Sequence, residues 1–295
     1  MEEASERRPQ GRGLSIHIGL NFVNPAHYAG WDGELAAAEF DAEDMRAIAE
    51  AQGFEATSLI RSDATREAVR SAFANAAAQL KGGDTLLISY SGHGGNVPDM
   101  SGDENDGNDE TWCLFDGQLI DDELYELWGA FAAGVRIQVV SDSCHSGSVT
   151  RYLDDKKVII EAGQHQLDVP QRKPRVMPRA IAARTYRANR GFYDGLQREL
   201  AKHGWGRRSR EQDPGLKCTV RLFSGCTDAQ FSYDGIANGQ FTEQLLKIWS
   251  EGRFQGEHAT FIKAILAGMP DNQTPQHSVI GMPDPAWDAQ KPFTR

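Results

Sequence analysis

The stretch Thr85-Leu86-Leu87-Ile88-Ser89-Tyr90-Ser91-Gly92-His93-Gly94-Gly95 is answered further along by Arg136-Ile137-Gln138-Val139-Val140-Ser141-Asp142-Ser143-Cys144-His145-Ser146-Gly147. Each is a short apolar run that stops abruptly at Gly and Ser and presents one reactive side chain, an imidazole at His93 and a thiol at Cys144. Continuous, β-branched runs of this length read as buried parallel strands. In an open α/β sheet, chemistry sits just beyond the carboxyl ends of such strands. Two strands therefore deliver an imidazole and a thiol to one edge, which is the pairing that thiolate nucleophilic catalysis needs.

The surrounding pattern is strand–helix repetition. Leu14–Leu20 reads as a first strand and residues 33–52 as a helix, with Leu35, Ala38, Ala42, Met45 and Ala49 at helical spacing and Gly53 ending it. A short strand at Ser58–Ile60 and an Ala-rich helix over Thr65–Leu80 follow. After the His93 strand comes a loop from Asp99 to Glu126 that is dense in Asp and Glu and holds no Lys or Arg. It includes a short strand at Trp112–Phe115 and leads into a helix over Asp121–Phe131, with Asp121 or Asp122 as N-cap. The rhythm returns at a Cys218–Cys226 strand and at helices over Gly239–Glu251 and His258–Ala267. The expected fold class is α/β, a mostly parallel central β-sheet with helices on both faces. Residues 1–13 read as a disordered tail, and 14–150 and 216–295 as the two parts of the catalytic fold. Residues 151–215, rich in bases and broken by Pro170, Pro174, Pro178 and Pro214, read as an insert or linker with one helix near Gly195–His203.

Composition narrows the function classes. A net charge of −11 argues against general nucleic-acid binding. No apolar stretch is long enough to span a membrane, and the polar start has no signal-peptide segment. Four cysteines are too few for a disulfide framework and point to a reducing, cytoplasmic setting.

The paired motifs, Tyr90-Ser91-Gly92-His93-Gly94-Gly95 and Asp142-Ser143-Cys144-His145-Ser146-Gly147, resemble the catalytic histidine and cysteine motifs of metacaspases and their bacterial relatives, the orthocaspases. Leu35-Ala36-Ala37-Ala38-Glu39-Phe40-Asp41-Ala42 lies where that family has a Leu-x-Gly-Cys-x-Asn-Asp-Ala segment, with Ala38 in place of the Cys. Leu222–Gln230 with Gly239-Gln240-Phe241-Thr242 is similar to the start of the small-subunit region, and Gln273-Thr274-Pro275-Gln276 to its end. The resemblance implies a caspase-like sandwich with a large-subunit-like and a small-subunit-like part. It also implies a cysteine endopeptidase acting on protein or peptide substrates, here expected to be a monomer.

The chemistry then reads as follows. Cys144 is the expected nucleophile and His93 its acid–base partner. Gly94 and the Cys144 backbone N–H are the expected oxyanion hole. His145 is the competing base, disfavoured because adjacent side chains leaving a strand diverge. By resemblance, Asp41, Asp142 and Ser91 line the pocket for the P1 side chain, and two carboxylates there favour Arg or Lys and repel Asp. Carboxylates are hard ligands suited to calcium, and by resemblance Asp109, Asp121 and Asp122 match three aspartates of a calcium site. The fourth ligand position of that site is Arg151 here. The basic segment is a string of self-cleavage candidates: Lys156, Lys157, Arg172, Lys173, Arg175, Arg179, Arg184, Arg187 and Arg190. Two rival readings are a catalytically silent scaffold on the same fold and a metal-dependent hydrolase built on the acidic loop.

Overall fold

In the computed structural model, residues 11–100, 107–144, 172–203, 215–227 and 230–295 are described. The element order is β1 (Gly13–Gly19), α1 (Ala38–Ala51), β2 (Glu55–Ile60), α2 (Arg66–Gln79), β3 (Thr85–Ser91), β4 (Gly94–Pro98), β5 (Asn108–Leu114), β6 (Gly117–Ile120), α3 (Asp121–Gly129) and β7 (Arg136–Asp142). It continues with α4 (Arg179–Ala188), α5 (Arg190–Lys202), β8 (Thr219–Ser224), α6 (Gln240–Trp249), α7 (His258–Leu266), β9 (Gln276–Gly281) and α8 (Pro285–Asp288).

The main sheet has six strands in the order β2-β1-β3-β7-β8-β9. All pairings are parallel except β8 with β9. Side chains alternate across a strand, and β3 shows how this builds two cores. Leu86, Ile88 and Tyr90 join one cluster with Val69 and Phe73 of α2 and Leu124 and Trp128 of α3. Leu87 faces the other way, into a cluster with Met45 of α1, Phe241 and Leu245 of α6 and Phe261 of α7. His17 and Ser89, which also lie inside the sheet, satisfy each other at 2.8 Å.

Several elements differ from the sequence reading. Helix α1 starts at Ala38 rather than Gly33, because the N–H groups of Ala36 and Ala37 are taken by the Asp234 carboxylate at 2.7 and 3.2 Å. Neither Asp121 nor Asp122 is the N-cap of α3; Ile120 holds that position, and its N–H is satisfied by Glu123 Oε2 at 3.1 Å. The acidic stretch contributes two strands, β5 and β6, instead of one short strand, and they form a three-stranded antiparallel sheet with β4 just before it. Among its described residues, the basic stretch holds two helices, α4 and α5, instead of one. They dock on the small sheet through Tyr193, whose hydroxyl accepts from the Gln118 backbone N–H at 3.2 Å and meets His27 Nε2 at 2.7 Å. No helix among the described residues is long and apolar enough to cross a membrane.

Glu123 ties α2 to α3. Its carboxylate is fully buried and accepts from Arg66 at 2.6 and 2.9 Å and from Arg70 at 3.0 Å. Removing one partner of such a cluster leaves uncompensated buried charge. Glu123→Ala is expected to lower unfolding stability by about 3 kcal/mol, measured by urea denaturation; a change within the scatter of surface substitutions would contradict the clamp.

Candidate active site

The two motifs meet because of strand register. Ser91 and Asp142 are direct partners at the ends of β3 and β7. His93 and Cys144 each lie two residues further on, so neighbouring strands release them side by side at the carboxyl edge of the sheet. Gly94 allows this approach: a Cβ there would stand 1.7 Å from the Cys144 carbonyl oxygen. A side chain at 94 would therefore push the two loops apart.

His93 is held on several sides. Tyr90 donates its hydroxyl to the His93 carbonyl at 2.6 Å, and the Cys113 N–H does so at 2.9 Å. The Trp31 ring packs against the imidazole at 4.7 Å. The imidazole Nε2–H donates to the Gly33 carbonyl at 3.0 Å, which leaves Nδ1 as the basic nitrogen. Nδ1 is buried and has no hydrogen-bond partner among the described residues. Burial pushes the His93 pKa down to about 4. Cys144 is fully buried; its sulfur accepts from the Ser232 N–H at 2.7 Å. Burial, with neighbouring Cys226, holds its thiol well above the usual range. The pair in this state is thus a neutral thiol beside a neutral imidazole.

What buries it is the chain itself. Residues 173–175 run antiparallel to 232–234: the Asp234 N–H donates to the Lys173 carbonyl at 2.7 Å and the Arg175 N–H to the Ser232 carbonyl at 2.9 Å. The Arg175 carbonyl then accepts from the Gly94 N–H at 3.0 Å and the Cys144 N–H at 3.1 Å. The strap continues as Val176 beside Gly94, and the Met177 N–H donates to the Gly94 carbonyl at 2.8 Å.

The Arg175 side chain, fully buried, enters a pocket of carboxylates. It lies 2.7 Å from Asp41, 3.0 Å from Asp142 and 2.9 Å from Asp234, and donates to Ser91 Oγ at 2.7 Å. Each acid is held in turn. Ser91 Oγ and the Gly239 N–H donate to Asp41 at 2.7 and 3.0 Å. Thr242 donates to Asp142 through both its N–H and its hydroxyl, at 3.2 and 2.8 Å. Burial, opposed by Arg175 and helped by the charge of Asp142, pushes Asp41 up to about 6. The three acids raise the Arg175 guanidinium further above its already high range, against the opposing effect of its burial.

The structure therefore brings together Asp41, Ser91, His93, Gly94, Asp142, Cys144 and Arg175. Two participants, Asp234 and Ser232, went unassigned in the sequence reading. They lie in Phe231-Ser232-Tyr233-Asp234, between the two matched stretches, and an acid inside that gap was the available signal. Arg179, Arg184, Arg187 and Arg190 lie on α4 and α5. Arg172 and Lys173 lie on the strap. His145, Arg151, Lys156 and Lys157 fall outside the described residues.

Of the three aspartates matched to a calcium site, Asp109 and Asp121 accept hydrogen bonds within the described residues. Asp109 is buried on β5 and accepts from Gln197 Nε2 of α5 at 2.9 Å. Asp121 Oδ1 accepts from the Asp122 N–H at 2.9 Å. Among the described residues no three His, Cys, Asp or Glu side chains converge to hold a metal.

Comparison with known proteins places this geometry. The chain is 32% identical over 176 residues to Metacaspase-1 of Coccidioides immitis, covering 55% of this chain and 36% of that protein. It is 28% identical over 257 residues to Metacaspase-1 of Mycosarcoma maydis, covering 79% of this chain and 60% of that one. Both relatives are thus longer proteins that this chain spans only in part. A crystal structure of a protein from Geobacter sulfurreducens superposes with a TM-score of 0.83 at 49% identity, covering 96% of this chain and 98% of that one. Caspase-1 from Spodoptera frugiperda shares the fold alone, with a TM-score of 0.50 at 10% identity over 92% of this chain and 89% of that one. The caspase-domain family model matches residues 21–282, and the chain belongs to that family of cysteine peptidases.

Proposed function

We propose that this protein is a cysteine endopeptidase that cleaves after Arg or Lys and that its own Arg175–Val176 bond is a substrate. The observation that supports this most is the seating of Arg175: its guanidinium between Asp41, Asp142 and Asp234, and its carbonyl oxygen facing two backbone N–H donors. Those donors are placed where an oxyanion develops on attack at the carbonyl carbon. A buried guanidinium meeting several carboxylates gains charge-assisted hydrogen bonds that an Asp side chain in the same place would replace with repulsion.

The mechanism follows from the groups present. His93 Nδ1 takes the Cys144 proton as Sγ bonds to the P1 carbonyl carbon, and the N–H groups of Gly94 and Cys144 hold the oxyanion. Collapse breaks the C–N bond, and His93 returns the proton to the leaving amine, which is the Val176 nitrogen in the self-cleavage case. Water, deprotonated by the same imidazole, then attacks the thioester and releases the P1 carboxylate and the thiol. Every group named comes from one chain, so a monomer is a complete unit.

Calcium activation, the other expectation, has no support from the described residues alone. Further acids, among them Asp103, Glu104, Asp106, Asp154 and Asp155, lie outside the described residues. No step above runs through a metal. A calcium requirement predicts turnover abolished by EGTA and restored by millimolar calcium; equal rates in both remove calcium from the account.

The peptidase reading is tested with fluorogenic peptides bearing Arg, Lys or Asp at P1. Wild type is expected to cut after Arg and Lys only. Cys144→Ala should lose at least about a thousand-fold, and Asp142→Asn should lose about thirty-fold or more in kcat/KM toward Arg. Cleavage after Asp, or activity surviving Cys144→Ala, would overturn it.

Acid sensitivity follows from the buried histidines. Burial holds His17 at about 3, His93 at about 4, His258 at about 3 and His277 at about 4. Between about pH 6.5 and 4 the unfolded chain binds protons at these sites that the folded chain refuses, so stability falls on acidification. Asp41, raised to about 6, acts in the opposite sense: the folded state keeps a proton that the unfolded state releases. Four sites against one predict a urea midpoint that drops steadily from pH 6.5 to 4; a flat profile would contradict these burials.

A further inference from the structure

The strap carries information beyond its P1 residue. Upstream of Arg175 it presents Arg172 and Lys173 to a cavity of about 560 Å³ that runs from Asp234 past Leu35 and Ile236. Two carboxylates on its rim take the two bases. Lys173 Nζ lies 3.0 Å from Glu34 Oε2, and Arg172 Nη2 lies 3.0 Å from Glu243 Oε2. Glu34 precedes α1 and Glu243 sits in the first turn of α6, so the two acids approach the strap from separate elements. Pro174 fits between them without loss. In the antiparallel pairing with 232–234, the ladder uses the Lys173 carbonyl and the Arg175 N–H, so the position between them needs no N–H donor.

We propose that Glu34 and Glu243 are specificity residues for P3 and P4, so that this enzyme selects polybasic segments with Arg or Lys at P4 and P3 and Arg at P1, with Pro accepted at P2. The inference rests on the reading of Asp41, Asp142 and Asp234 as the P1 pocket and deepens it. The P1 contact and these outer contacts differ in kind. Arg175 is fully buried, whereas the Lys173 and Glu34 side chains are 58% and 64% exposed and those of Arg172 and Glu243 are 30% and 61% exposed. Exposed ion pairs are weak and screened by salt, which sets each outer subsite at about two- to five-fold in kcat/KM. The P1 pocket decides whether a bond is cut; the outer acids rank the bonds that qualify.

The test uses three fluorogenic tetrapeptides, Arg-Lys-Pro-Arg, Ala-Ala-Pro-Arg and Glu-Glu-Pro-Arg. They are assayed on the full chain, both wild type and with Arg175→Ala, which removes the guanidinium occupying the pocket. The expected order at low salt is basic over neutral over acidic, with about four- to twenty-five-fold between the first two. That ratio should shrink toward one in about 0.5 M salt, and in a chain carrying Glu34→Gln with Glu243→Gln. Equal kcat/KM for the basic and neutral peptides at low salt would overturn the outer subsites and leave Arg at P1 standing. A folded chain that cuts none of the three would overturn the P1 reading and this inference with it.

Discussion

The guanidinium of Arg175, shared among Asp41, Asp142 and Asp234, is the interaction on which the rest of the structure depends. Three carboxylates drawn from α1, the end of β7 and the segment before α6 converge on one point inside the protein. Left alone, three buried carboxylates would repel one another and pay a large desolvation cost. The guanidinium offsets part of this, Ser91 and Thr242 hydroxyls and the Gly239 N–H satisfy remaining lone pairs, and Asp41 is the acid driven towards protonation. Space is tight enough that a Cβ at Gly239 would come within 2.4 Å of Asp142 and 2.5 Å of Arg175. The pocket holds a flat, singly charged guanidinium through several of its N–H donors.

The same strap that fills the pocket also covers the nucleophile. With water excluded, the Cys144 thiol and the His93 imidazole are both neutral, so the resting pair carries no thiolate. Yet the strap is held as a substrate would be, with backbone pairing on one side, two donors at the P1 carbonyl, and a charged anchor. Strand addition of this kind draws affinity from main-chain hydrogen bonds and selectivity from side-chain pockets. Burial of Cys144 and seating of Arg175 are two consequences of one set of contacts.

Much of this was legible in the sequence because it is local. Apolar runs ending at Gly place His93 and Cys144 on strand ends, and the equal offset from Ser91 and Asp142 follows once β3 and β7 pair in register. What was not legible depends on distant partners. Ala36 and Ala37 look helical by composition, but Asp234, far along the chain, takes their N–H groups and delays α1. Strands β5 and β6 arise from a stretch whose acidity reads as a solvated loop, and in β4 Gly94-Gly95-Asn96 gives no strand signal by composition. Arg175 is one base among many in a Pro-broken segment, and nothing in its neighbours distinguishes it. Only the three acids it reaches do so.

Purified wild-type chain and its Cys144→Ala variant, compared by intact mass and by sequencing of new amino termini, test the central claim most directly. The account predicts that wild type accumulates a fragment beginning at Val176 and that Cys144→Ala stays whole. A wild-type chain cut only elsewhere, or a Cys144→Ala chain cut equally at Arg175, would contradict the reading of this strap as the enzyme's own substrate.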